Sequence, residues 1–79
     1  MDSKDKTNKA LDIIADVAET DASELKSEQN LLADLGIDSP KALKLLMDLE
    51  DGLGVEISDE DAARMETVGD ILSFVDGAA

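Results

Sequence analysis

The chain has neither cysteine nor histidine among its 79 residues. Without cysteine there can be no disulfide framework, thiolate nucleophile or zinc–thiolate site, which fits an intracellular protein without requiring one. Without histidine the usual general base and the commonest metal ligand are missing too, so carboxylates, Lys, Ser and Thr are all that remain for chemistry. Catalysis by the chain alone is not expected. Basic residues are also scarce, with 7 Lys and Arg against 20 Asp and Glu and a formal net charge of −13. That balance argues against nucleic acid or anionic lipid as partner and favours proteins with basic patches, and self-repulsion should make the fold marginal at low salt. No stretch approaches the roughly 18 apolar residues that span a bilayer, and the opening "MDSKDKTNKA" lacks the apolar core of a signal peptide. The expectation is one soluble, cytoplasmic, monomeric domain over residues 1–79, without membrane insertion. A chain of this size buries only about 60% of the surface its unfolded form exposes, so the core is small and a large cleft is excluded.

What is present is helical periodicity. Ala10, Leu11, Ile14, Val17 and Ala18 recur as one apolar helix face, predicting a helix from about residue 4 to 19. "ETDASELKSEQN" breaks that period and opens a long connection over residues 20–38, in which Ala22 and Leu25 are expected to tether the chain to the core. Connections in compact domains usually run about 4 to 6 residues, and long ordered ones tend to be functional. Its second half, "NLLADLGID", carries Leu31, Leu32, Leu35 and Ile37 and must be packed down, with Gly36 turning the backbone at positive φ.

The single proline, Pro40, disfavours helical dihedrals at Ser39 and itself suits a first helical position. Ser39 is therefore expected to be the N-cap of a helix reaching about Leu53, with Ala42, Leu46, Leu49 and Leu53 as its core stripe and Gly52 and Gly54 as its end. Two further helices are predicted after the caps Ser58 and Thr67, each followed three residues later by an acid, Asp61 and Asp70. Val55 and Ile57 have no second run to pair with and are read as an inward-dipping loop. The predicted fold is all-α, a small four-helix bundle of three longer helices and one short one.

Several patterns invite chemistry and fail on inspection. The acidic run "SDEDAARME" does not fit a calcium loop: Gly54 at the sixth position puts Leu49 first and Leu53 fifth, and Gly52 puts Met47 first. Asp59, Glu60 and Asp61 are better read as a favourable first turn on a helix dipole, leaving at most loose cation association and no metal site. Ser3 to Lys6 and Ser23 to Lys26 share the Ser-x-x-Lys spacing of some acyl-transfer enzymes, but in polar segments with no room for an oxyanion pocket they are chance matches. Met47 and Met65 are expected to be packing residues, not ligands. Ser39 differs, because a long packed segment delivers its hydroxyl to a helix N-terminus, where free N–H groups and the dipole suit an attached phosphate.

With "DLGIDSP" at residues 34–40 and a tail carrying Glu56, Ile57, Asp59, Glu60, Ala62, Thr67 and Val68 in the pattern E-I-x-D-E-x-A-x-x-x-x-T-V, the chain resembles the acyl carrier proteins over nearly its whole length. The resemblance implies a four-helix domain that is not an enzyme. It implies 4′-phosphopantetheine, delivered from coenzyme A by a phosphopantetheinyl transferase to Ser39, with acyl groups then carried as thioesters on its thiol for fatty-acid, lipid or secondary-metabolite biosynthesis. Asp38 matches the acidic residue before the serine that is associated with this attachment, though locally it could equally be an exposed loop carboxylate. The acyl chain would shelter between helices, among candidates such as Leu46, Ile57, Ala62 and Ile71. Partners would be the transferase and the acyl-loading and acyl-using enzymes with basic docking patches.

The chain departs from the family at Pro40, where Leu is usual, and at Lys41 and Lys44, where acids are usual, on the helix that serves as the main docking surface. Lys41, Lys44, Asp48 and Asp51 fall at i, i+3, i+7 and i+10 as one charged stripe, positive near Ser39 and negative at its far end, beside an apolar ridge of Pro40, Leu43 and Met47. These departures point to a specialised carrier with its own partners; Lys41 could alternatively neutralise an attached phosphate. Two other readings stay open on sequence alone: an aminoacyl or peptidyl carrier, and an unmodified acidic helical interaction module in which Ser39 only caps a helix.

Overall fold

The computed structural model describes residues 3–77. Their element order is α1 (Ser3–Ala18), a 3-10 turn (Ala22–Glu24), α2 (Ser39–Leu53), α3 (Asp59–Ala63) and α4 (Val68–Gly77), with no strand among the described residues. This is the expected all-α arrangement of three longer helices and one short one. α1 packs against both α2 and α4. Ala10, Ile14 and Val17 of α1 meet Leu45 and Leu49 of α2 and Val68, Ile71 and Val75 of α4 in one buried cluster, closed by Leu31 and Ile37 from the long connection. α3 contributes no buried side chain.

Two details of α2 differ from the sequence expectation. The fully buried residues are Leu45 and Leu49, while Ala42, Leu46 and Leu53 are only partly covered. The run Leu45-Leu46 supports two apolar registers that differ by one residue, and packing against α1 and α4 selects the one centred on Leu45. The helix also runs through Gly52 and ends only at Gly54, whose φ of 66° is the left-handed C-terminal cap conformation. Gly52 does not terminate α2: a β-carbon there would lie 2.8 Å from Ile13 Cδ1, so its bareness lets α1 and α2 approach.

The connection over residues 20–38 is ordered by hydrogen bonds that reach far along the chain. Leu31 N–H donates to the Glu66 carbonyl (2.9 Å), Val68 N–H to Gln29 (3.1 Å) and Gly69 N–H to Ser27 (2.9 Å), and Asn30 and Thr67 form an isolated antiparallel bridge. Within the connection, Asn30 Oδ1 accepts from the N–H groups of Leu32 and Ala33, while Asp34 Oδ2 accepts from Asn30 N–H at 2.6 Å. Gly36 turns at φ 67°, as its position predicts, and Ile37 N–H closes back onto the Leu31 carbonyl at 2.8 Å. This clamp delivers residues 38 and 39 to the start of α2.

Candidate functional site

The turn into α2 is capped by Asp38, not by Ser39. Asp38 is extended (φ −78°, ψ −174°), its carbonyl accepts the first intrahelical bond from Ala42 N–H at 2.7 Å, and its carboxylate accepts from Lys41 N–H at 3.2 Å. These are the two marks of an N-cap. Ser39 is then the first helical residue and Pro40 the second. Proline is tolerated there because first-turn N–H groups have no intrahelical acceptor, and its bias against a helical Ser39 is overcome by the Asp38 cap.

This one-residue displacement frees the serine. Ser39 is exposed, and its hydroxyl has no hydrogen-bond partner among the described residues. The anion-binding capacity of the helix end is smaller than the sequence suggested, because Pro40 has no N–H and those of Lys41 and Ala42 are both taken by Asp38. The N–H groups of Asp38 and Ser39 are left to meet an anion, with the Asp38 carboxylate close by in sequence. A phosphate joined to Ser39 Oγ therefore fits as an outward-pointing group in solvent, and does not sit in a nest of amides.

The charged stripe and the apolar ridge of α2 part company in the folded chain. Lys41 Nζ lies 4.0 Å from Glu19 Oε2 just beyond α1, and Lys44 Nζ lies 2.9 Å from Asp48 Oδ2 within α2. The hydrogen bond to Asp48 and the negative charge of that carboxylate raise the Lys44 pKa, with a smaller push from Asp16. Asp48 and Asp51 line a groove of about 540 Å³ between α1 and α2 together with Asp12, Ile13, Asp16 and Gly52. Pro40, Leu43 and Met47 instead face outward, with Leu43 61% and Met47 59% exposed, so Met47 does not pack into the core as the sequence reading expected. Among the described residues no group of three or more acidic side chains is placed to hold a metal ion.

Of the four candidate acyl-cavity residues, Ile71 is fully buried in the core, whereas Leu46, Ile57 and Ala62 are partly exposed. None of the four lines the groove of about 420 Å³ beside the start of α2, whose walls include Leu31, Leu32, Ile37, Ala42 and Met65. Sequence reasoning missed this groove because its walls come from three separated segments. Leu32, counted from sequence among the residues that pack the connection down, is instead 63% exposed at this groove, and no local pattern signalled it.

The geometry is thus a helical domain that presents an exposed serine at the first position of α2, after a long clamped connection. The family model described as "Phosphopantetheine attachment site" matches residues 8–75. An acyl carrier protein of Clostridium acetobutylicum is 40% identical over 67 residues, covering 85% of this chain and 87% of that protein. One from an Exiguobacterium species is 38% identical over 63 residues, covering 80% of each. Among solved structures, the acyl carrier protein of Enterococcus faecalis superposes with a TM-score of 0.82 at 32% identity over the full length of both chains. The chain belongs to the acyl carrier protein family, whose members are carriers, not enzymes, and bear covalently attached phosphopantetheine.

Proposed function

We propose that Ser39 is the residue that receives the phosphopantetheine arm and that the chain carries acyl groups between the enzymes of a specialised fatty-acid, lipid or secondary-metabolite pathway. The observation that carries this reading is the exposed Ser39 hydroxyl, spared from capping by Asp38. In the loading step Ser39 Oγ forms a bond to the phosphorus of coenzyme A nearest the pantetheine. The bond from that phosphorus to the oxygen bridging to adenosine 3′,5′-bisphosphate breaks, and the hydroxyl proton leaves to a base or solvent. The bound arm supplies the thiol that the chain's own composition lacks. Asp38 fixes the turn that holds Ser39 outward. Leu46, Ile57, Ala62 and Ile71 are the side chains proposed to shelter the cargo, with α3 as the least anchored wall because it buries nothing.

The test is intact mass after incubation with coenzyme A and a phosphopantetheinyl transferase. The native chain should gain one pantetheinyl increment. Ser39→Ala should gain none while keeping its melting temperature, because the cap lies on Asp38. An increment that survives in Ser39→Ala would place attachment elsewhere and refute the assignment.

A further inference from the structure

Three of the four α-helices open with a carboxylate in the first turn: Asp5 in α1, Asp59, Glu60 and Asp61 in α3, and Asp70 in α4. The helix dipole favours that arrangement, and a chain with 20 acids has ample supply for it. α2, which presents Ser39, has no acid in its first turn. It carries Lys41 there and Lys44 one turn further on, although the whole chain has only 7 basic residues. A cation at this end opposes the dipole. Its ionic neighbour is no better placed, because Glu19 follows the C-terminus of α1, where the dipole disfavours an anion. Glu19 also takes a φ of 59°, unlike any other non-glycine among the described residues. The pair is loose as well, at 4.0 Å with side chains 44% and 82% exposed. Exchanging the two charges would suit both helix ends and keep the pair, so fold stability does not explain why the lysine stands beside the serine.

The neighbouring surface offers another explanation. Ser39, Leu43 and Met47 are spaced i, i+4 and i+8, so an exposed apolar strip leads away from the serine, with Pro40 also exposed at its start. Lys44, whose side chain is 60% exposed, flanks the strip at the end near the serine, and Asp48 and Asp51 lie beyond it. Resting on the proposed attachment at Ser39, we infer that Pro40, Leu43 and Met47 dock into an apolar socket of a loading or acyl-handling enzyme. Lys41 and Lys44 select those partners whose socket carries carboxylates at the rim nearest the active site. A partner with a basic rim is attracted at long range by the net charge but meets like charges at contact, where juxtaposed cations are costly.

The probe is a phosphopantetheinyl transferase with Arg and Lys at its docking face, used beside a variant of it with those residues changed to Glu. Loading rates by intact mass and dissociation constants by calorimetry are measured for the native chain and for Lys41→Glu with Lys44→Glu. A control with Lys9→Glu and Lys26→Glu changes net charge equally at exposed positions away from α2. With the basic-faced enzyme the α2 variant should load about 10-fold faster and bind more tightly than the native chain, and the control should not. With the Glu-faced enzyme the order should reverse. Leu43→Ser with Met47→Ser should slow loading by both enzymes without moving the melting temperature. The charge exchange Glu19→Lys with Lys41→Glu should melt no lower than the native chain. Equal loading of the native chain and the α2 variant, an equal response from the control, or a fall of several degrees in the exchanged pair would overturn the inference while the attachment stands. Absence of the pantetheinyl increment on every chain would overturn the attachment and this inference together.

Discussion

At Asp38 and Ser39, adjacent residues divide two tasks that either could have performed. Aspartate and serine are comparably good caps, and Pro40 seemed to assign the task to its immediate neighbour. The carboxylate takes it, accepting from Lys41 N–H at 3.2 Å, and the hydroxyl is left for other use. The two roles are separable by experiment. Asp38→Ala should lower stability by about 1 kcal/mol in urea unfolding, with Ser39 still chemically present, whereas Ser39→Ala should leave the unfolding midpoint nearly unchanged. A comparable loss from Ser39→Ala would mean that the serine shares the cap. Gly36 offers a second residue-scale check. At φ 67° with open space around it, Gly36→Ala meets no clash, so its expected cost of about 1 to 2 kcal/mol comes from the backbone conformation alone.

At the scale of elements, α4 is held at its start by a reciprocal capping box. Asp70 N–H donates to Thr67 Oγ1 at 3.1 Å and Thr67 N–H donates to Asp70 Oδ2 at 3.1 Å, with Glu66 N–H adding a third bond at 3.0 Å. The backbone donors of Glu66 and Thr67 hold the Asp70 carboxyl below the ordinary carboxylate value of 3.8. A group depressed in the folded state stabilises the fold above its unfolded pKa and loses that contribution as pH falls through the folded one. The melting temperature of the native chain should therefore drop relative to that of Asp70→Asn as pH is taken below about 3.8, and the difference should vanish if the box plays no part. Gly69, inside the same turn, makes a close approach of a different kind: a β-carbon there would lie 3.1 Å from the Ser27 carbonyl oxygen, which would have to shift by a few tenths of an ångström. Gly69→Ala should therefore weaken the clamp on the long connection. Amide exchange should then quicken at Leu31 and Val68, whose N–H groups bond across it. The caps Ser58 and Thr67 and the turn at Gly36 were legible from sequence because each depends on neighbours within four residues. The clamp was not, because residues 27–31 pair with residues 66–69 and no local pattern announces a lone bridge.

For the whole molecule, the dominant fact is a net charge of −13 in a body of 30 × 28 × 19 Å. The Debye length falls from about 30 Å at 0.01 M salt, comparable to the molecule, to about 3 Å at 1 M. Raising salt across that range should raise the melting temperature by screening repulsion, and the effect should be larger in Lys41→Glu with Lys44→Glu, which is more negative still. A melting temperature independent of salt would show that self-repulsion does not limit this fold. Against that acidic background α2 stands apart: its outward strip is apolar, and its lysines pair with Glu19 and Asp48.

The sequence by itself determined the number and approximate limits of the helices, three of the turns that join them, and the motif around Ser39. Apolar periodicity, caps and glycines act within a few residues of one another, and the absence of cysteine and histidine excludes thiol and imidazole chemistry by the chain's own side chains. Tertiary structure decided which side of α2 is core, Leu45 over Leu46, because two registers were equally apolar until α1 and α4 packed against one of them. It also turned Lys41 toward Glu19, set Asp48 and Asp51 in a groove with Asp12 and Asp16, and left Leu43 and Met47 facing outward. Those placements depend on how one helix is rotated against residues far away in the chain, a quantity that no spacing within a single helix contains.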